Sequence, residues 1–554
     1  MLPTPPGPRP IEPRGDIRLL FVADLSSHAR EPFVGDPATP EQVRRLVDHF
    51  ALSGADALGQ EVFGQGWVLH FYSDTYEYDQ RPQHRRWVSM LDRGINPIEV
   101  FSDQAHRRGM KFIAGARFGD DHGAPTQGAR WIFDHPEFIL ADVPPGPLSK
   151  PGNTLDFSFR EVRDFHFGAI EEIARRFDVD GIEITFRSDN HFPYPRSISR
   201  ERQPLMTELM RRIRHMLDDE ARNKGRRLLL GVRVPETVHE CHDCGLDLPT
   251  WITTGILDYA SPANSMYSNH NARWEEFSRL TEGTDCRLLP GVMPFCSATD
   301  SRSDTVPWAL QPNTGESGTR DHIAFQSRVY LRPMTSDNYR ALANNIYGAG
   351  ADGVSSFNFQ EQYTGNLIGG FPGELALLRE LKDPEAIRAR HRTYLFRSML
   401  GGVDYHGAPG MASTGAMKDD RIVLSREAPG VRQEYRLRLC EQWGEVGHAS
   451  MAVRAQDLRP EERLVFDVNG VAIPDESVRR MWHADGRSSN IGRPLPAYST
   501  LMFDLGTDCM LDGDNTLGAT LAEVEDGAGG DIVIDEIDVT VMPSLSEPTE
   551  RSHS

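Results

Sequence analysis

The stretch Val179-Asp180-Gly181-Ile182-Glu183-Ile184-Thr185-Phe186-Arg187 decides how this chain is read. It has the composition of a short buried strand with one acidic side chain inside it and an arginine at its end. A carboxylate is costly to bury without a partner or a task. An apolar strand carrying a Glu near its C-terminal end is how a parallel α/β barrel presents a catalytic acid. The plain alternative is a solvated or salt-bridged Glu near a strand end. What tips the balance is the company this strand keeps: it is the fourth of eight.

Before it, Ile17–Ala23 is apolar and ends at Asp24, Ala55–Phe63 carries Glu61, and Lys111–Arg117 leads into Gly119-Asp120-Asp121-His122. After it come Arg226–Arg233, Ile256–Ala260, Arg287–Met293 and Asp352–Phe359. Helices are expected between these runs. Pro40–Ser53 follows Thr39, a good N-cap, and Ile98–Arg108, Glu161–Phe177 and Asn338–Gly348 have helical spacing. Gln203–Lys224 sets Leu205, Leu209, Ile213 and Leu217 on one face, and Glu374–Lys382 begins a closing helix. Eight β-then-α steps within residues 17–399 predict an α/β fold, a (β/α)8 TIM barrel with long loops. The competing fold is an open doubly wound sheet, but no Gly-x-Gly-x-x-Gly follows the first strand.

From residue 418 the pattern changes to short alternating runs: Arg421–Ser425, Glu434–Leu439, Ser450–Arg454, Leu464–Val468 and Ile532–Val541. Turn pairs such as Asn469-Gly470 and Asp512-Gly513 punctuate them. Residues 418–545 therefore read as a β-sandwich domain. Residues 400–417, with five Gly, read as its linker, 1–16 as a flexible Pro-rich arm and 546–554 as a tail.

At 554 residues the chain exceeds one core, so at least two domains are expected. The 60 basic and 81 acidic side chains leave a formal charge of −21, which argues against nucleic acid as the main partner. No run approaches the ~20 apolar residues needed to span a bilayer, and Met1–Gly15 has no apolar h-region. A cytoplasmic protein without a membrane partner is expected, with homo-oligomerisation left open. Six Cys are too sparse for a disulfide scaffold.

In a (β/α)8 barrel the C-terminal strand ends build the site. Here those positions are rich in carboxylates and amides, Asp24, Glu61, Asp120, Asp121, Glu183, Asp189, Glu236, Asn264, Asn358, Gln360 and Glu361, with aromatics such as Trp67 and Tyr267 among them. Sugars offer apolar C–H faces and many hydroxyls, so a carbohydrate substrate fits this mixture. Cleaving a glycosidic bond needs two carboxyl groups across it. Glu183 is the expected proton donor, because an apolar strand raises a carboxyl pKa; Glu236, Asp120 or Asp189 would supply the base or nucleophile. Arg117, Arg187 and Arg233 end three neighbouring strands and could recognise an acidic, uronic or sulfated sugar, or pair with the rim acids. His191, His239, Asn264, Tyr267, Trp67, Asn358 and Gln360 complete the expected substrate contacts.

His239-Glu240-Cys241-His242-Asp243-Cys244 has zinc-like spacing, but a structural zinc site recruits a second ligand pair and none stands out. No metal and no cofactor are expected. Gly-x-Ser-x-Gly, P-loop and His-Glu-x-x-His motifs are absent.

The runs Phe112–Arg117, Val179–Phe186 and Leu229–Pro235, with Gly245-Leu246-Asp247 and Trp251, resemble bacterial barrel proteins grouped as family-10-like glycoside hydrolases. The resemblance covers residues 17–395 and implies a (β/α)8 fold acting on glycosides. Members of the large retaining clan carry Asn-Glu at the fourth strand and Glu at the seventh. Here Ile182 precedes Glu183, and Leu288–Pro294 has no Glu. An inverting mechanism, or a nucleophile from another strand, is therefore expected.

Overall fold

A computed structural model describes residues 17–29, 33–119, 128–140, 155–186, 191–193, 196–263, 268–293, 295–299, 329–360, 372–397, 421–483 and 498–544. Strands β1 (Leu19–Ala23), β2 (Ala57–Phe63), β3 (Lys111–Arg117), β4 (Gly181–Thr185), β5 (Leu229–Val234), β6 (Tyr259–Pro262), β7 (Arg287–Leu288), β8 (Gly291–Val292) and β11 (Val354–Phe357) form one parallel sheet. Its order is β7-β6-β5-β4-β3-β2-β1-β11-β8. The sheet thus has nine segments where eight strands were expected, because the expected strand Arg287–Met293 is split in two. Pro290 sits in the break and has no N–H to give a ladder. Leu289 N donates to Ala260 O of β6 at 2.9 Å, and Ser355 N of β11 donates to Pro290 O at 2.9 Å. The two edges of the sheet are therefore two residues apart in the chain, and the sheet curls round to bring them together.

Side chains alternate across this curled sheet. Leu19, Phe21, Phe112, Ala114, Ile182, Ile184, Leu230 and Val232 face outward into one large core with the helices. Leu20, Val22, Ala57, Ile113, Leu229, Tyr259 and Leu289 fill the interior. Glu61, Arg117, Glu183 and Arg233 share the inward parity. The surrounding helices begin where local chemistry starts them. Thr39 and Gln42 form a reciprocal capping box ahead of Pro40–Phe50, and Asn96 caps Pro97–Arg107. The helix expected from Gln203 begins earlier, at Arg196, and tolerates Pro204 within it. An antiparallel pair, β9 (Phe295–Thr299) with β10 (Val329–Pro333), was not anticipated.

Beyond the barrel-like sheet, two antiparallel sheets share a second apolar core that includes Phe466, Phe503, Leu517 and Ile537. This arrangement fits the expected sandwich. Val468 and Val471 pair across Asn469-Gly470, both with positive φ, a two-residue hairpin turn suited to strand twist. Strand β12 (Arg392–Arg397) lies within the range read as barrel, 17–399, yet pairs with Asp531–Pro543 of the C-terminal sheets. Helix Ser336–Gly348 joins the two regions. Asn345 donates to Arg438 O at 2.8 Å and accepts from Cys440 N at 2.9 Å, and Arg392 pairs with the buried Glu441 at 2.7 Å. No helix among the described residues is long and apolar enough to cross a membrane.

Candidate active site

Four consecutive strands carry one pattern at the barrel interior: Gly59-Gln60-Glu61, Gly115-Ala116-Arg117, Gly181-Ile182-Glu183 and Gly231-Val232-Arg233. The register sets Glu61 opposite Gly115, and Gly115 in turn opposite Glu183. Glu183 lies opposite Gly231 on the other side, and Gly231 opposite Tyr259. Each glutamate is therefore flanked by a glycine on the next strand, and each arginine stands two residues further toward the mouth. The glycines are needed there. A Cβ on Gly231 would collide with the Tyr259 ring, and one on Gly115 would come within 3.0 Å of Glu61 Cα.

The first pair is closed. Arg117 donates from Nη2 and Nε to Glu61 Oε2, at 2.8 and 3.1 Å, and its Nη2 lies 3.9 Å from Asp24 Oδ2. Asp24 accepts from Asn358 Nδ2 at 2.8 Å and from Ser27 N at 2.8 Å, while Asp24 N donates to Asn358 Oδ1 at 3.0 Å. Burial raises the Asp24 pKa, but Arg117, Ser27 and Asn358 outweigh it and hold the carboxyl well below the usual range. This network ties the ends of β1, β2, β3 and β11 together. Glu61 Oε1 alone is left without a hydrogen bond.

The second pair is open. Glu183 is 1% exposed, and neither carboxyl oxygen makes a well-formed hydrogen bond among the described residues, although Arg233 and Tyr259 both stand beside it. Arg233 Nε stands 3.6 Å from Glu183 Oε1, within ion-pair range but beyond hydrogen-bond range. The guanidinium lies over the Phe357 ring at 4.9 Å. Arg233 is 4% exposed, and none of its three nitrogens makes a well-formed hydrogen bond among the described residues. Burial pushes the Glu183 carboxyl up from its ordinary value, against the opposing influence of Arg233 and Tyr259. Ser261 Oγ and Ser355 Oγ are likewise buried without hydrogen-bond partners among the described residues, and Tyr259 OH, beside Glu183, makes no well-formed one. Polar atoms inside proteins are seldom left this way, so their concentration around Glu183 marks the barrel interior beneath the mouth as the candidate site.

The remaining expected residues divide. Glu236 is buried and accepts from Asn269 Nδ2 at 3.2 Å. Gln360 is 0% exposed, and neither amide atom is hydrogen-bonded among the described residues. Asn358 is engaged by Asp24. Trp67 is buried, and its indole donates to Phe118 O at 3.2 Å, a structural contact. His191 packs edge-on against Phe157 and Phe186, and burial takes its pKa down to about 3. His239 has a side chain 68% exposed on a helix, with Asp243 at 3.5 Å and Arg200 as neighbours; this is a solvated position instead of a pocket wall. Asp120, Asp189, Arg187, Asn264 and Tyr267 lie outside the described residues.

Cys241 and Cys244 are buried and in no disulfide, and burial pushes the Cys241 thiol well up. Among the described residues, the group close enough to share an ion is elsewhere, at His70, Asp79 and His84. His70 Nε2 and His84 Nε2 stand 3.5 and 3.4 Å from Asp79 Oδ2. Arg81 fills that position: its Nε donates to both Asp79 oxygens at 3.0 and 2.9 Å, and its Nη2 reaches Ser26 Oγ at 3.0 Å and His84 Nε2 at 3.3 Å. A guanidinium already neutralises the carboxylate, although His70 Nε2 and His84 Nδ1 are left without well-formed hydrogen bonds among the described residues.

No family model matches the chain, and no curated protein does. Among solved structures the chain is similar to α-L-fucosidase isoenzyme 2 from Paenibacillus thiaminolyticus, at 11% identity and a TM-score of 0.38, over 67% of this chain and 49% of that one. It is also similar to an α-amylase from Geobacillus thermoleovorans, at 11% identity and a TM-score of 0.35, over 91% and 98% of the two chains. A third is the GH36 α-galactosidase AgaA from Geobacillus stearothermophilus, at 11% and 0.35, over 95% and 56%. The chain spans about half the length of the fucosidase and the galactosidase.

Proposed function

We propose that the protein is a glycoside hydrolase, cleaving an O-glycosidic bond in an oligo- or polysaccharide, with Glu183 as general acid. The observation that carries this reading is the buried Glu183 carboxyl on the inner face of β4, both oxygens without hydrogen bonds, among polar side chains that are equally unfilled. A general acid must hold its proton near neutral pH, and burial favours that form. The nine-segment sheet is read as a (β/α)8 barrel closed through its split seventh strand, with the strand C-termini as the catalytic face.

The partner carboxylate activates water or attacks the anomeric carbon. Glu236, Asp120 and Asp189 remain its candidates, and Glu61 joins them. Glu61 is two strands from Glu183 with only Gly115 between, so the two Cα atoms lie about 10 Å apart along the sheet, given strand spacings of about 4.8 Å. Arg117 keeps Oε2 occupied while Oε1 is left over.

The test is a reducing-end release screen over neutral and acidic glycans, with wild type beside Glu183→Gln. The reading expects release by the wild type and its loss in the variant. Full activity in Glu183→Gln on a confirmed substrate overturns it.

A further inference from the structure

We propose that Arg233, with Tyr259 and Ser261, forms a position inside the barrel mouth that binds the carboxylate of an acidic sugar. The claim rests on the glycosidase reading for the sugar and for the proton that Glu183 holds; the unmet donors of Arg233 are observed independently of it. A guanidinium presents five N–H donors in a planar fork. At Arg233 the fork is buried and makes no hydrogen bond, its face covered by Phe357 and its edge 3.6 Å from Glu183 Oε1. Unmet buried donors are costly, more so on a charged group.

Arg117, two strands away, shows what this sequence does when an arginine is structural: it donates twice to Glu61 and stands near Asp24. Arg233 has no such set of acceptors. Glu183 cannot serve as its permanent counter-ion if it is to donate a proton, since the protonated acid is neutral. An incoming carboxylate would supply the missing charge and accept two parallel N–H bonds. Ser261 is in register with Arg233 on the adjacent strand, and Tyr259 stands two residues deeper on the same inner face. Ser261 Oγ, without a partner among the described residues, can donate to the same anion, and Tyr259 OH, which stands beside Glu183, can turn to it. Arg233 stands on the strand next to Glu183, and Tyr259 and Ser261 on the strand after it, so an anion held there lies beside the proposed proton donor.

Calorimetric titration of the full chain tests this without requiring turnover. The ligands are glucuronate and galacturonate against glucose and galactose, with acetate, inorganic phosphate and glucose 6-sulfate as further anions. We expect each uronate to bind about 10-fold or more tightly than its neutral parent, the order for one charged hydrogen-bonded contact. That preference should vanish in Arg233→Gln and survive in part in Arg233→Lys. Should Arg233→Gln fail to fold, Tyr259→Phe and Ser261→Ala report in its place, weakening uronate binding more than glucose binding. Equal affinity for uronate and neutral sugar means that water alone fills the position and overturns the proposal. An unchanged preference in the variants also overturns it, as does acetate or phosphate binding as tightly as the uronates. Tighter binding of glucose 6-sulfate replaces the carboxylate with a sulfate and overturns the stated class. Uronate binding without cleavage of any glycan would leave this site standing and remove the hydrolase reading; cleavage of neutral glycans without uronate preference would do the reverse.

Discussion

The two glutamate–arginine pairs of the barrel interior are built from one sequence pattern and end in opposite states. Glu61 and Arg117 on β2 and β3 share two hydrogen bonds and connect through Asp24 to Asn358. Glu183 and Arg233 on β4 and β5 occupy equivalent places in the register, yet stand 3.6 Å apart with no well-formed hydrogen bond between them or, among the described residues, to another group. The first pair holds strand ends together. The second keeps its hydrogen-bonding capacity in reserve, and a buried group in that state is costly unless something else occupies it. Burial alone does not separate structure from function here; the count of satisfied donors and acceptors does.

The comparison breaks most visibly at Glu183. Glu183→Gln should lower kcat by about 10²–10⁴-fold on glycans, the usual contribution of a general acid, with the fold intact by circular dichroism. An equal loss in Glu61→Gln would identify Glu61 as the partner carboxylate, whereas retention there would return the role to Glu236 or to the acids at 120 and 189.

Next in size is the closed pair. Arg117→Met strands Glu61 and Asp24 as buried charges and should cost about 3–5 kcal/mol in denaturant unfolding, as breaking a buried ion pair does. If the loss is below about 1 kcal/mol, the range of exposed ion pairs, the network is not the brace described.

A smaller and oppositely signed effect is expected at the open pair. The folded state raises the proton affinity of Glu183. Above the ordinary Glu range the native protein therefore binds more protons than the unfolded chain, and this group's contribution to stability falls as pH rises. Glu183→Gln mimics the protonated acid and removes that loss. Its Tm should exceed the wild-type value near pH 8, with the gap closing by about pH 4, where free Glu is itself protonated. A lower Tm for the variant near pH 8 would mean that Glu183 is an ionised partner of Arg233, and the two pairs would no longer differ in kind. The least change is expected from His239→Ala: an exposed side chain there should move stability by no more than about 0.5 kcal/mol and leave turnover as it was.

Much of this was legible in the sequence, and the exceptions have physical causes. The strand cores at Lys111–Arg117, Gly181–Thr185 and Leu229–Val234 follow from apolar runs bounded by turns. The break at Pro290 was visible as a residue, but the sheet's use of both sides of it depends on long-range closure. Strand β12 resembles a barrel-terminal segment locally; only its partner, Asp531–Pro543, places it in the C-terminal sheets. Glu183 stood out because one acid interrupts an apolar run. The difference between Arg117 and Arg233 did not, since both end a strand as Gly-x-Arg and only the three-dimensional surroundings distinguish them. The repeated Gly-x-Glu and Gly-x-Arg triplets on consecutive strands were the available signal for Glu61. Histidine is a weak marker in sequence because imidazole packs as readily among aromatics, as His191 does, as it lines a pocket.

The most direct test of the account varies the leaving group. On a confirmed glycone, initial rates of wild type and Glu183→Gln are compared for an alkyl or sugar leaving group, which needs a proton, and for fluoride or dinitrophenolate, which departs without protonation. The account predicts a large loss in Glu183→Gln on the first kind and near-normal bond cleavage on the second. Equal losses on both, or none on either, would contradict the assignment of Glu183 as the proton donor.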